Sequence, residues 1–399
     1  MEDWKEYKLG VITNMKNGKK RPRSNGVFPV YGGNGIMDYS DSYNAENAII
    51  VGRVGAYCGC VYKCDGKCWV SDNAISVFAK DIVDTQFLYY LMTTLDFHHH
   101  HIGGAQPLMT QDIIGDFTVS IPPLSFQNQI VHILKSFDDK IEVNRRINDN
   151  LEQQAQALFK SWFVNFEPFK DLSFVESELG MIPQGWKVGT YNDIISETIS
   201  GDWGKEKEEG IYTHKVACIR GCDFQDIKNG LRGKTPERFI LEKNYQNKHF
   251  CDKDVLVEIS GGTATVSTGR VCPVSQQLIN KYNGDIVCTN FCRLVRPIEK
   301  YGAFLYYSWL YKYNNKIMFG YENGTSGIKN FRIKDFVSIE PVAIPPVDKV
   351  GEFQTMIDSI QKQMQTRGSE SQRLAELRDT LLPRLMSGEL NVNNIKEIA

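Results

Sequence analysis

The chain contains no run of ~20 uninterrupted apolar residues, which argues against a membrane-spanning helix, and its opening, MEDWKEYKLG, lacks the apolar core of a signal peptide. The compartment expected from these absences is the cytoplasm. Charge of one sign is not in excess either: 46 Lys and Arg against 48 Asp and Glu leave a formal net charge of −2. That weighs against a nonspecific polyanion binder, because a phosphate backbone is ordinarily met by a net basic surface. Ten cysteines in 399 residues are too sparse for a disulfide scaffold, and the cytosol keeps such thiols reduced. What is present is a 42% hydrophobic, 24% charged composition, enough apolar material for two domains and too much for a disordered chain.

Catalytic signatures are also scarce. Gly233-Lys-Thr235 lacks the glycine five residues earlier that a phosphate-binding loop needs. Gly52-Arg-Val-Gly55 is too short for a dinucleotide fingerprint, and no Asn-Pro-Pro-aromatic or Asp-Pro-Pro-aromatic motif of an amino-methyltransferase occurs. Neither an HExxH pair nor a Gly-x-Ser-x-Gly elbow is found. No catalytic residue is assigned. Cys58, Cys60, Cys64 and Cys68 cluster around an Asp65-Gly66 turn without the spacing of a zinc knuckle. Zinc ligands and small buried thiols are both open readings, and no metal site is assigned. The run His98 to His101 closes a predicted helix, reading as a solvated helix end or as a contact with an anion or base edge.

An internal repeat organises the chain. Val70-Ser-Asp-Asn73 matches Val287-Cys-Thr-Asn290 at an offset of 217 residues, as Phe87-Leu-Tyr-Tyr90 matches Phe304-Leu-Tyr-Tyr307. Ile121-Pro-Pro123 matches Ile344-Pro-Pro346 at 223. Each Ile-Pro-Pro precedes a long stretch rich in helix formers, interrupted in the second copy by Gly368 and Pro383. Ile130, Leu134, Phe137, Ile141, Asn144, Asn148, Leu151, Ala155, Leu158 and Trp162 alternate in steps of four and three, the seam of a coiled coil. The same positions 223 residues on are Phe353, Ile357, Ile360, Met364, Arg367, Ser371, Leu374, Arg378, Leu381 and Leu385.

Both seams are apolar at their ends and polar in the middle. A helix leaving the second domain can pair with one leaving the first only by running back, so the pairing is expected to be antiparallel. At ~1.5 Å per residue, about 40 residues give a rod of roughly 60 Å. Short β-branched runs such as Ala48–Val51, Ala74–Val77, Asp254–Val257 and Phe117–Val119 read as strands, and Thr85–Leu95 and Tyr301–Tyr311 as helices. The expected architecture is α+β: two mixed α/β domains related by the repeat, held apart with approximate two-fold symmetry by two long antiparallel coiled-coil helices. The boundaries are domain one at 1–122, first helix 123–166, acidic linker 167–184, domain two at 185–345, second helix 346–390 and tail 391–399.

These landmarks resemble the specificity (S) subunits of type I restriction–modification systems over nearly the whole chain. In the first half the resemblance rests on Phe28-Pro-Val-Tyr-Gly-Gly-Asn-Gly-Ile36, Ile49-Ile-Val-Gly-Arg-Val-Gly55, Trp69-Val-Ser-Asp-Asn-Ala74 and Gly104-Ala-Gln-Pro107. In the second it rests on Glu178-Leu-Gly-Met-Ile-Pro-Gln-Gly-Trp186, Gly324-Thr-Ser-Gly-Ile-Lys329 and Leu377-Arg-Asp-Thr-Leu-Leu-Pro-Arg-Leu-Met-Ser-Gly-Glu-Leu390. The cysteine-rich stretch and the histidine run match no landmark. The resemblance implies a noncatalytic reader of double-stranded DNA with two target-recognition domains, each reading half of a split asymmetric target. It further implies methyltransferase (M) subunits bringing S-adenosylmethionine and a restriction (R) subunit bringing ATP- and Mg-dependent translocation and cleavage, with no cofactor in this chain. The competing class is a self-sufficient DNA methyltransferase or nuclease with an unrecognised motif.

Lys19, Lys20 and Arg21, flanked by Lys16 and Arg23, form a basic run expected to meet phosphates. Arg53 sits between glycines where the backbone can approach DNA closely, and arginine commonly reads guanine. Tyr31, Asn34 and Gln106 lie in glycine-containing loops. Arg220, Thr263, Thr265, Arg270, Ser326, Lys329 and Asn330 are the corresponding choices in the second half. Phe159, Trp162, Phe163 and Phe166 on the first helix, with Leu382, Leu385 and Met386 on the second, exceed what one seam can bury. They pack on the adjacent domain or receive a partner subunit.

Overall fold

The two Ile-Pro-Pro sequences each launch a helix of 40 residues, Leu124–Phe163 and Val347–Met386. Proline suits the first turn because its missing N–H would have no partner there. In both helices the second proline's carbonyl starts the ladder, accepting from Phe126 and Gln127 in one and from Lys349 and Val350 in the other. The computed structural model describes residues 4–22, 25–104, 106–263, 265–324, 328–390 and 392. It divides into two compact units, Met1–Asp139 with Leu374–Ala399, and Lys140–Arg373. The helices are therefore not a separate body, since each has its longer part in the second unit and its shorter part in the first. Among the described residues no helix is long and apolar enough to cross a membrane.

The first unit is built on a six-stranded sheet ordered Thr13–Asn17, Ala74–Ala79, Ala45–Gly52, Val61–Val70, Phe28–Gly32 and Gly35–Ser40. In the second unit the order Ile195–Ser200, Cys292–Pro297, Val255–Glu258, Val271–Pro273 repeats the first four strands. The fourth strand there is interrupted by the helix Gln276–Lys281 and resumes as Ile286–Cys288, which pairs in parallel with Tyr212–Ile219. That pairing matches the parallel contact of Val61–Val70 with Phe28–Gly32. Each unit also closes with an antiparallel pair, Lys5 opposite Ile121 in one and Lys187 opposite Ile344 in the other. The repeat thus begins at Trp4 and Trp186, where the sequence comparison had found no anchor.

Equivalent pairings refine the register. Tyr31 pairs with Val70 and Ile219 with Cys288; Gly52 pairs with Ala74 and Glu258 with Cys292. The offset around this turn is 218, one residue more than the matched asparagines suggest. Asp65-Gly66 is likewise not a hairpin turn. It is a bulge inside Val61–Val70, where Gly66 has φ of 85° and donates its N–H to Asn47 Oδ1 at 2.7 Å. The segment 167–184 is folded rather than a linker. It carries the hairpin Phe174–Ser177 with Gly180–Pro183, and its Phe169 and Ile182 lie in the second unit's core.

Residues assigned as surplus to the seam prove to be core. Phe159, Trp162 and Phe163 are buried with Phe304 and Phe353, ring centroids of Phe163 lying 5.0 and 4.9 Å from those two. Leu385 and Met386 are buried in the first unit with Ile130 and Leu134, while Phe166 and Leu382 are half-buried against the same two cores. Packing against the adjoining sheet and helices therefore accounts for Phe159, Trp162, Phe163, Leu385 and Met386, and leaves Phe166 and Leu382 partly exposed.

At their mid-sections the two long helices run antiparallel. Asn144 Nδ2 donates to Ser371 Oγ at 3.2 Å and to Glu370 Oε2 at 2.8 Å, and Asn148 Nδ2 to the Met364 carbonyl at 3.1 Å. Arg367 departs from the seam: it is only half-buried, whereas Gln365 and Gly368 are buried. The cause is the turn Asn229-Gly230, which docks on this face. Asn148 also donates to the Asn229 carbonyl at 3.0 Å, and Gln365 to the Ile227 carbonyl at 3.3 Å. A methyl group on Gly368 would lie 2.2 Å from the Asn229 oxygen.

Helix propensity and packing therefore oppose each other at Gly368. Gly368→Ala gains about 1 kcal/mol of propensity but should destabilise by about 1–3 kcal/mol through the clash. Gly351→Ala, on the same helix with ordinary 3.6 Å contact to Lys300, should be neutral or stabilising. Denaturant midpoints of the two variants check the opposite signs.

Candidate nucleic-acid interface

The turn Val70–Ala74 gathers loops from distant parts of the first unit through main-chain groups alone. Gly18 N donates to the Ala74 carbonyl at 3.0 Å, Lys19 N to Val70 at 3.0 Å, Arg53 N to Asn73 at 2.9 Å, and Ser71 N to the Tyr31 carbonyl at 2.9 Å. Met109 N then donates to the Arg53 carbonyl at 2.8 Å and Gly55 N to that of Pro107 at 3.1 Å, bringing in the Gly104-to-Pro107 loop. Asn44 locks the hub by exchanging two hydrogen bonds with Val70, at 2.9 and 2.7 Å. Crowding here excludes a side chain at position 18, where a Cβ would stand 1.9 Å from the Ser71 oxygen.

Around this hub Lys19, Lys20, Arg21, Asn34 and Gln106 are exposed, and Arg53 is half-exposed with Nη1 at 3.4 Å from the Asp72 carbonyl. Arg21 is paired with Asp38 of the neighbouring hairpin. Tyr31 does not belong to the surface: it is 8% exposed and donates its hydroxyl to the Lys63 carbonyl at 3.2 Å. Burial, followed by the nearby Cys64 and Cys68, pushes its pKa up to about 12. It is a brace.

The second unit builds the same hub with different chemistry. Asp202 N donates to the Cys288 carbonyl at 2.8 Å, Thr289 N to Ile219 at 2.9 Å, Ile259 N to Phe291 at 2.9 Å and Phe331 N to Ile259 at 2.8 Å. A Cβ on Gly201 would lie 2.0 Å from the Thr289 oxygen, as one on Gly18 would from Ser71. By these bonds Asp202 stands where Lys19 does, Trp203 where Lys20 does, and Ile259 where Arg53 does. Gly261 pairs with Lys329 and Ser260 with Asn330, as Gly55 meets Pro107 and Val54 pairs with Leu108. The Gly324-to-Lys329 loop is thus the counterpart of Gly104 to Pro107.

Three charged candidates of this half are turned inward. Arg220 holds Asp223 at 3.0 Å and the Lys234 carbonyl at 2.6 Å; Arg270 forks onto Glu258 at 2.7 and 2.8 Å; Lys329 pairs with Glu322 at 2.9 Å. They brace loops, because a buried or half-buried carboxylate needs a partner. Thr263, Thr265 and Asn330 are exposed, the two threonines in a turn in which Thr265 N and Val266 N donate to Thr263 Oγ1. Ser326 lies outside the described residues.

The thiols of the first unit stay free, Cys58, Cys64 and Cys68 being buried and Cys60 half-buried. Among the described residues no group of three or more His, Cys, Asp or Glu is placed to hold a metal ion. His98 to His100 form a short 3-10 turn rather than the end of a helix, His99 lying 2.7 Å from Asp96.

The first 153 residues match the family model described as type I restriction modification DNA specificity domain. Among relatives, the HindI specificity subunit of Haemophilus influenzae is 24% identical across 98% of this chain and all of its own length. The MjaIX specificity subunit of Methanocaldococcus jannaschii is 26% identical across 80% of this chain and 72% of its own. The chain is thus similar along nearly its whole length to type I restriction–modification specificity subunits. A crystal structure of the S subunit from M. genitalium shares the fold, with a TM-score of 0.54, 16% identity and 96% of each chain covered. Sequence reasoning missed Asn73, Asp202, Trp203, Ile259 and Phe291 as hub positions, since their side chains are not repeated between the halves. The signal that recovers them is the backbone pairing.

Hub crowding predicts a contrast between two glycines of the first unit. Gly18→Ala should lower stability by about 1–3 kcal/mol, whereas Gly104→Ala, with nothing within 4 Å, should change it by less than about 0.5 kcal/mol. Chemical denaturation of the two purified variants beside the parent chain measures both.

Proposed function

We propose that this chain is the sequence-reading subunit of a type I restriction–modification assembly, in which each unit reads one half of a bipartite, asymmetric duplex target. One observation carries the reading: a single chain builds the same backbone hub twice and places unlike side chains around the two copies. Phosphate contacts position a protein on DNA, while base-edge contacts specify sequence. Exposed Lys19 and Lys20 suit the first role in the first unit, and Asn34, Gln106 and Arg53 the second role. In the second unit Thr263, Thr265 and Asn330 take that place, with Arg220, Arg270 and Lys329 bracing the loops that hold them.

Methyltransferase subunits contribute S-adenosylmethionine and the methyl transfer, and a restriction subunit contributes ATP- and Mg-dependent translocation and cleavage. This chain supplies the address. Because the long helices join the two units, their length sets the gap between half-sites. The setting for such an assembly is the cytoplasm.

Mapping the methylated motifs of cells that carry this chain with its methyltransferase partner tests the reading. Two unlike half-sites separated by a fixed gap are expected, and a continuous palindrome would refute it. Removing one heptad from each long helix, at positions facing each other, shortens the rod by about 10 Å. The gap should then shrink by about three base pairs, at 3.4 Å per step, with both half-sites unchanged.

A further inference from the structure

The corrected register of the repeat places Asn73 and Phe291 at one and the same position. Each is the residue whose carbonyl accepts the hydrogen bond from the loop that follows the third strand of its sheet, from Arg53 N in one unit and Ile259 N in the other, both at 2.9 Å. Each is the third residue of the same tight turn, closed by Ala74 N to the Ser71 carbonyl at 3.0 Å and by Cys292 N to that of Thr289 at 2.9 Å. The main chain on both sides of the residue is therefore fixed, and the side chain projects from a rigid mount.

Asn73 is exposed, and Phe291 is 62% exposed, an unusual state for so large an apolar side chain. Lys19, Lys20 and Arg53 share the first hub, whereas the second has Asp202, Trp203 and Ile259 in their places and one arginine close in sequence, Arg293, which donates to the Asn290 and Cys292 carbonyls at 3.1 and 2.9 Å. A rigidly mounted, exposed residue at the meeting point of loops is placed to contact a ligand that docks on those loops.

We propose that Asn73 and Phe291 are the paired specificity-determining residues of the two half-sites, an inference that rests on the DNA-reading function above. The chemistry differs between them. An asparagine amide donates to and accepts from one base edge, the pattern that matches adenine in the major groove. A phenylalanine ring has no hydrogen-bonding group; it reads a thymine methyl by apolar contact or enters a base step as a wedge. The first half-site is read at this point by hydrogen bonds and the second by an apolar surface.

The exchange of one side chain for the other tests this, because each unit already shows that the mount tolerates its counterpart. The full chain is produced with its methyltransferase partner as wild type, Asn73→Phe, Asn73→Ala, Phe291→Asn and Phe291→Ala, and the methylated motifs of each are sequenced. Asn73 variants should relax, or reduce at least tenfold, methylation through one half-site only, and Phe291 variants through the other only. Melting temperatures of the purified complexes should stay within about 2 °C of wild type, as for surface substitutions.

Unchanged motifs and unchanged methylation in all four variants would overturn the assignment while leaving the DNA-reading function standing. So would equal loss at both half-sites accompanied by a lowered melting temperature, which would make the residues structural. A wild-type complex with no bipartite motif would overturn the function itself, and this inference with it.

Discussion

Neither hydrophobic core closes without the long helices. In the first unit Ile130 and Leu134 come from one helix and Leu385 and Met386 from the other, packed with strand and loop residues such as Ile49, Phe87 and Phe97. In the second, Ala155, Phe159 and Phe163 meet Val350, Phe353 and Ile357 over a floor of Phe304, Tyr306 and Trp309. Burial of apolar surface contributes about 25 cal/mol per Å², so removing either helix exposes aromatic area no sheet residue can cover. The helices are thus structural walls of both recognition folds as well as the connection between them. Polar groups at mid-helix, Asn144 and Asn148 foremost, then fix which residues face each other.

Much of this was legible in the sequence. Ile-Pro-Pro marked the start of both helices to within a residue, and the seam periodicity identified Ile130, Leu134, Phe353 and Ile357 as inward-facing. Strands at Ala45–Gly52 and Ala74–Ala79 followed from β-branched runs bounded by glycine and asparagine. Local pattern suffices where burial is one-sided and periodic.

The remainder was hidden for physical reasons. Arg367 leaves the seam because Asn229-Gly230, far away in sequence, presses on Gly368. Arg220, Arg270 and Lys329 carry the residue type of a DNA contact, yet each is held by a carboxylate that a sequence scan has no means of locating. Tyr31, read from the sequence as part of a glycine-containing loop, lies in the strand Phe28–Gly32 and turns inward, its carbonyl rather than its side chain serving the hub. The match of Asn73 with Asn290 followed identical letters, whereas the hydrogen bonds align Asn73 with Phe291. Backbone geometry was retained where side chains were exchanged.

That hub is assembled from amide and carbonyl groups, with glycine where two main chains meet. Apart from the Asn44 amide bonded to Val70 in the first unit, its hydrogen bonds use groups that nearly every residue carries. A chain built in this way can change the letters it reads by single substitutions without first losing and regaining its fold, so that novelty in recognition and conservation of architecture are not in competition.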